Sequence, residues 1–256
     1  MRLPRVHLPR TFPVKLAVFA VTGIALAGAG VAVSAFTTNA PRAAAAGRKR
    51  RGEGHTRREE ILQAAKELFL EQGYEHTTIR RIADRVGVSA PALYLYFEDK
   101  DAIMLALCDQ TFEYLIASIA EIEQQVSDPL ERLRRFGEAY VAFGLSHPDE
   151  YKLVFLGTNI PESIRRLGHR MPIDDPNRPG VKGSIVFSRL IAVIAAIEAA
   201  GIKLNYPPDT CAELCWMGLH GLVSALIMKP EFPWSDRDLL IKGMLDIHRN
   251  GILQKP

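Results

Sequence analysis

Three cysteines, an odd number in 256 residues, cannot build a disulfide framework and suit a reducing compartment. Strand alternation is also missing, since no stretch keeps an apolar–polar period of two. There is no glycine-rich phosphate loop, no Ser-His-Asp order and no cluster with metal-ligand spacing, so the sequence gives no support to an enzyme. Cys211 and Cys215 share a helix face, but His220 lies about 140° further round at about 100° per residue, which leaves two packing cysteines. Asp174 and Asp175 near His169 read as a solvated loop. Neither a metal nor a cofactor is expected.

What the chain does have is helical periodicity and an uneven charge. Residues 1–58 carry eleven Arg or Lys against the single acid Glu53; with a net charge of +3 overall, residues 59–256 sum to −7. The basic run Arg48, Lys49, Arg50 and Arg51, continued by Arg57 and Arg58, immediately precedes the first amphipathic helix. There a flexible arm can follow phosphates or enter a minor groove. Leu16 to Phe36 is uncharged for 21 residues, long enough to cross a bilayer, but its seven Ala and three Gly make it weakly apolar. Three readings of residues 1–47 stay open: a start placed upstream of the true one, a signal anchor that makes the protein a membrane-anchored sensor, or a disordered extension. A cytoplasmic protein without membrane contact is the favoured expectation.

The first helix is expected over about Arg57–Gln72. Thr56 and Glu59 form its capping box, and Ile61, Ala64, Ala65, Leu68 and Phe69 make its apolar stripe. Residues 77–97 spell two short helices around a tight turn. Thr77 or Thr78 caps the first, Ile79, Ile82, Ala83 and Val86 turn inward, and Gly87 ends it in a left-handed turn. Ser89 caps the second with Pro91 in its first turn, Leu93 and Phe97 are buried, and Ala90, Pro91, Tyr94, Leu95 and Tyr96 remain outside. That is a helix-turn-helix, whose outer surface suits a DNA major groove.

Gly73-Tyr74, Thr77-Thr78, Ile82-Ala83, Gly87-Val88-Ser89, Leu93-Tyr94, Tyr96-Phe97 and Lys100, within Ile61 to Leu107, resemble the DNA-binding domain of the TetR family of bacterial transcriptional repressors. The resemblance implies that Lys100 donates to a phosphate and that Tyr94 and Tyr96 contact backbone or base edges. Ser89, Ala90, Pro91 and Ala92 are expected to meet bases, their methyl and methylene surfaces suiting thymine methyls. Many relatives carry Gly at Pro91, Thr at Ala92 and a polar residue at Leu95; this chain is apolar at all three, so hydrogen-bonded base readout is expected to be sparse. Thr77, Thr78 and Arg80, with Arg81, complete the expected DNA surface, a solvated face being the equal alternative for the arginines.

From Lys100 onward the apolar spacing predicts helices, among them Glu131–Leu145, Ile185–Ala200, Thr210–Met228 and Leu239–His248. Trp216-Met217-Gly218-Leu219-His220-Gly221, with Tyr151 to Leu156 before it, resembles the WHG-type C-terminal domain of a TetR branch over roughly residues 125–245. The expected fold is all-α: a basic arm at 48–55, a three-helix helix-turn-helix domain over 56–103, and a larger helical effector-binding and dimerisation domain over 104–256. Gly218, Gly221 and Ala225 form a small-residue stripe, taken as a dimer seam because family members pair through their last two long helices. Trp216 and His220 share a face and, with Phe143, Tyr151, Phe155, Phe187 and Met217, are the expected effector contacts, although ordinary core residues look the same. The expected protein is a homodimeric repressor on double-stranded DNA. A small-molecule effector, unidentified by the sequence, releases it from a near-palindromic operator whose half-sites lie about 34 Å apart.

Overall fold

The computed structural model describes residues 54–157 and 175–254. The basic residues Arg48 to Arg51, the apolar run Leu16–Phe36, His169 and Asp174 lie outside that range. The described helices are α1 (Gly54–Gln72), α2 (Ile79–Val86), α3 (Ala90–Leu93), α4 (Lys100–Gln125), α5 (Pro129–Ser146), α6 (Pro148–Tyr151), α7 (Lys182–Ala199), α8 (Pro208–Met228) and α9 (Arg237–Ile252), with a π-helical turn at Lys152–Leu156 directly after α6. Among the described residues there is no strand, only an antiparallel bridge between Leu204 and Leu253.

Local chemistry sets most of the boundaries. Thr78 caps α2, its side chain accepting from Arg81 N at 3.2 Å. Gly87, at φ +77°, closes α2 with Val88 N donating to Ala83 O at 2.9 Å, a left-handed turn that costs glycine no Cβ clash. Ser89, Asp99, Asp128 and Asp236 cap α3, α4, α5 and α9 in the same way as Thr78. One expected cap is absent. Helix α1 already runs from Gly54, which puts Thr56 inside its first turn rather than at the cap position; His55–Glu59 and Arg57–Glu60 pair along the surface instead of a Thr56–Glu59 box.

Two apolar cores result. Ile61, Leu68, Phe69, Ile82, Leu93 and Phe97 build the first, and Leu115, Phe136, Tyr140, Ile194, Cys215 and Val223 belong to the second. The expected boundary at residue 103 falls within α4, whose Ile103, Met104 and Leu107 pack in the first core while Leu115 and Ile119 pack in the second. A second bridge comes from far along the chain. Leu153 of the π turn is buried in the first core, and Lys66 Nζ of α1 meets Glu150 Oε1 of α6 at 2.9 Å. The two cores are therefore joined through rigid helix and packed side chains rather than a linker.

Candidate functional site

The outer edge of the helix-turn-helix presents apolar surface to solvent: Tyr94 is 54% exposed and Leu95 84%, with Pro91 and Tyr96 exposed beside them. Regular helix stops at Leu93. Tyr94 and Tyr96 lie in the turns that follow, Tyr96 N bonding to Leu93 O at 2.9 Å, so the reading element is one helical turn prolonged by a looser one. Beneath it Lys100 Nζ sits 3.9 Å from the Tyr74 ring centre and donates to Tyr74 O at 2.8 Å, which pins the ammonium at the N-terminus of α4. Burial raises the Tyr74 phenol above its ordinary pKa, and Asp101, which accepts from its hydroxyl, raises it further.

A cavity of about 840 Å³ opens in the second domain between α4, α5, α7, α8 and α9, within the size range of drug-like ligand sites. Phe112, Leu115, Phe136, Phe155, Phe187 and Leu190 give it an apolar wall. Charged side chains Arg134, Glu213, Asp246 and Arg249 also line it, and one stretch of wall is polar without a formal charge: Tyr140, Trp216 and His220. The Tyr140 hydroxyl lies 2.9 Å from that of Tyr151, which lies 2.7 Å from His220 Nδ1, while Ser224 Oγ is 3.4 Å from Nε2 of the same ring. Trp216 stacks on His220 with ring centres 5.4 Å apart. Burial holds His220 below the usual histidine range and both phenols above theirs, so the group is uncharged at neutral pH.

Two family models match the chain. Residues 61–107 fit "Bacterial regulatory proteins, tetR family", and residues 133–246 fit "Tetracyclin repressor-like, C-terminal domain". The chain belongs to the TetR family. Its relatives include the HTH-type transcriptional activator FasR of Mycolicibacterium smegmatis, 33% identical over 120 residues (46% of this chain, 55% of that protein), and the HTH-type transcriptional repressor KstR2 of Mycobacterium tuberculosis, 35% identical over 83 residues (32% and 42%). The chain thus covers about half the length of these relatives. A solved fatty acid degradation regulator, FadR of Bacillus halodurans, shares the fold at a TM-score of 0.61 and 17% identity, covering 79% of this chain and 98% of its own. TetR-family proteins are transcriptional regulators, not enzymes; they bind DNA and act as dimers with small-molecule effectors.

Within this TetR-type domain several expected contacts move. Thr77 is 1% exposed, and its hydroxyl donates to Gly73 O at 2.9 Å, so it braces the end of α1 and is withdrawn from the DNA face. Thr78, Arg80 and Ser89 are exposed, with Thr78 and Ser89 using their oxygens as caps, while Ala90 and Ala92 are half-buried. Arg81 is held by Gln72 and by His76 O, the latter at 3.2 Å. Arg50 and Arg51 are outside the described residues.

Of the seven expected effector contacts, Phe155, Phe187, Trp216, Met217 and His220 line the cavity. Phe143 and Tyr151 do not. Phe143 lies one turn beyond Tyr140, where its ring meets His147 and Tyr151; Tyr151 is fully buried behind the wall, hydrogen-bonded to two lining residues. Tyr140 and Phe112 were not expected as lining residues. Tyr140 falls among the apolar residues of the helix expected over Glu131–Leu145 and Phe112 in a stretch with no distinguishing motif, and nothing local says which helix faces them.

The small-residue stripe also divides. A Cβ on Gly218 would run into the His248 ring of the same chain, so that glycine serves α8–α9 packing, whereas Gly221 has open space around it. Ala225 is half-buried. Cys211 and Cys215 are packing residues, and burial pushes the Cys215 thiol up to about 12. Two described helices, α4 and α8, are long and apolar enough to cross a membrane; both contribute core residues here.

Proposed function

We propose that this TetR-family regulator is a homodimeric, cytoplasmic repressor that leaves its operator when a small molecule fills the second-domain cavity. The observation that carries the reading is the connection between cavity and DNA domain. His220 in the cavity wall is hydrogen-bonded to Tyr151; Tyr151 ends α6, its neighbour Glu150 pairs with Lys66 of α1, and Leu153 is buried in the first core, where its turn packs against α1. A ligand that displaces the Tyr140–Tyr151–His220 group shifts α6 and the π turn, and with them α1. A coupling of about 1–3 kcal/mol of this kind changes operator affinity roughly five- to 150-fold.

DNA contact is assigned to Pro91, Tyr94, Leu95, Tyr96, Ser89 and Arg80, with Lys100, Thr78, Ala90 and Ala92 at the edges and Arg50 and Arg51 in the arm. Pairing of two copies is assigned to the outer faces of α8 and α9, where Leu214, Met217, Gly221 and Met228 on α8 and Leu239 and Ile247 on α9 are exposed in the single chain. Large apolar side chains exposed together on two neighbouring helices favour a partner over water. Two-fold pairing puts the reading elements one DNA turn apart and calls for a near-palindromic operator.

The test is selection of genomic fragments by the purified protein at low ionic strength. Enrichment of fragments that share an inverted repeat supports the reading, and retention no better than that of scrambled duplex overturns it.

A further inference from the structure

The cavity's charge balance is uneven with its size. Among the described residues its wall carries no lysine. Arg134 is held by Glu131, at 2.7 Å through Nε, and by Glu138, while Arg249 is exposed, and both share the rim with the acids Glu213 and Asp246. His248, the other imidazole of the wall, is also kept below the usual histidine range by burial. Among the described residues the hydrogen-bond partners of Tyr140, Tyr151 and His220 are all uncharged, so an ionised carboxylate, phosphate or ammonium placed on them loses hydration without gaining an opposite charge from that group.

The same end is well suited to a neutral oxygen. Trp216 donates toward Tyr140, and the two phenols and the imidazole continue the chain to Ser224. The proton order can run either way, because a neutral imidazole has two tautomers. With Tyr151 donating to Nδ1, Tyr140 donates to Tyr151 and its oxygen is left to accept from a ligand hydroxyl. With Nδ1–H donating to Tyr151, Tyr151 occupies its own proton on Tyr140 and the Tyr140 O–H is released to a ligand carbonyl. No net charge appears in either arrangement.

We propose that the cavity takes an uncharged, mainly apolar ligand bearing a hydroxyl or carbonyl oxygen, an alcohol, ketone or ester, with that oxygen placed on Tyr140 beside Trp216 and His220. This rests on the cavity being the effector site, as proposed above, and adds the ligand's class.

The experiment titrates the full chain with the uncharged fluorophore N-phenyl-1-naphthylamine at pH 8 and displaces it with four competitors built on the same ten-carbon chain: 1-decanol, methyl decanoate, decanoate and decylammonium. The expected result is displacement by the alcohol and ester at concentrations at least about tenfold below those of both ions, with Tyr140→Phe weakening the alcohol and ester about fivefold, the value of one neutral hydrogen bond, while fluorophore affinity stays within about twofold. Trp216→Phe, judged in the same way, serves if Tyr140→Phe loses helicity by circular dichroism. Ions that compete as well as their neutral counterparts, or neutral competitors indifferent to the polar substitution, overturn the ligand class. A fluorophore that does not bind at all overturns the effector reading beneath it, which separates the two failures.

Discussion

Lys66 and Glu150, 84 positions apart, meet at 2.9 Å with their side chains 21% and 29% exposed, and so tie the first helix of the DNA domain to the helix whose next residue touches the cavity wall. A pair this well covered is worth more than an open surface pair, though still of the order of 1 kcal/mol. A double-mutant cycle of Lys66→Ala and Glu150→Ala, read by urea denaturation, should give a coupling of roughly 0.5–1 kcal/mol. The same variants should speed amide exchange in both α1 and α6; acceleration in one helix alone speaks against a shared contact.

The DNA surface separates docking from stability. Tyr94 is more than half exposed, so Tyr94→Ala should weaken retention of selected fragments while leaving the thermal midpoint in place. Lys100→Ala should reduce the slope of log affinity against log salt by about one, as loss of one phosphate contact requires, and should also lower stability because the ammonium covers the Tyr74 ring. Unchanged affinity in both variants removes the proposed docking surface.

Gly87 holds φ at +77° with open space where a Cβ would go, so only backbone strain opposes a side chain there. Gly87→Ala should cost about 1–2 kcal/mol in denaturation, and Gly87→Asn less.

Gly218 and Gly221, three positions apart, should behave oppositely. Gly218→Leu has to push aside the His248 ring within the chain and should destabilise the subunit by about 1–3 kcal/mol. Gly221→Trp should leave the subunit folded and shift sedimentation toward monomer. A normal dimer from Gly221→Trp would count against the α8–α9 face as the seam.

His220 makes a pH prediction of fixed sign. Burial lowers its pKa below 6.5, and the groups facing it are Tyr151, Ser224, Trp216 and Phe155, none of them charged at neutral pH. The unfolded chain binds the proton more readily, so this contribution is complete above about pH 6.5 and is lost as pH falls through the folded value. The thermal midpoint should drop between about pH 7.5 and 5.5, and His220→Gln should flatten that drop in part, since buried His248 acts with the same sign. An imidazole titration by NMR at or above 6.5 contradicts it.

The helix-turn-helix was legible residue by residue because its signals are local: Thr78, Gly87 and Ser89 act on backbone groups within four positions of themselves. The cavity was legible only as a set of aromatic residues. Trp216 and His220 announce a shared face by their spacing, yet the same spacing gave no reason to add Tyr140 or remove Tyr151. Thr77 shows the limit on a single residue, since a hydroxyl beside a cap is indistinguishable in sequence from one turned into the end of α1.

By itself the amino-acid order determined an all-helical chain, the position of the reading turn and the apolar face of each helix, because periodicity, caps and left-handed glycines depend on neighbours a turn away. Only the tertiary structure decided that α5 and α8 pack together and line one cavity, that Gly218 is filled from within while Gly221 is not, and that Glu150 reaches Lys66. Those outcomes depend on which side chains from distant segments share one volume, and contacts spanning 69 and 84 residues leave no local trace.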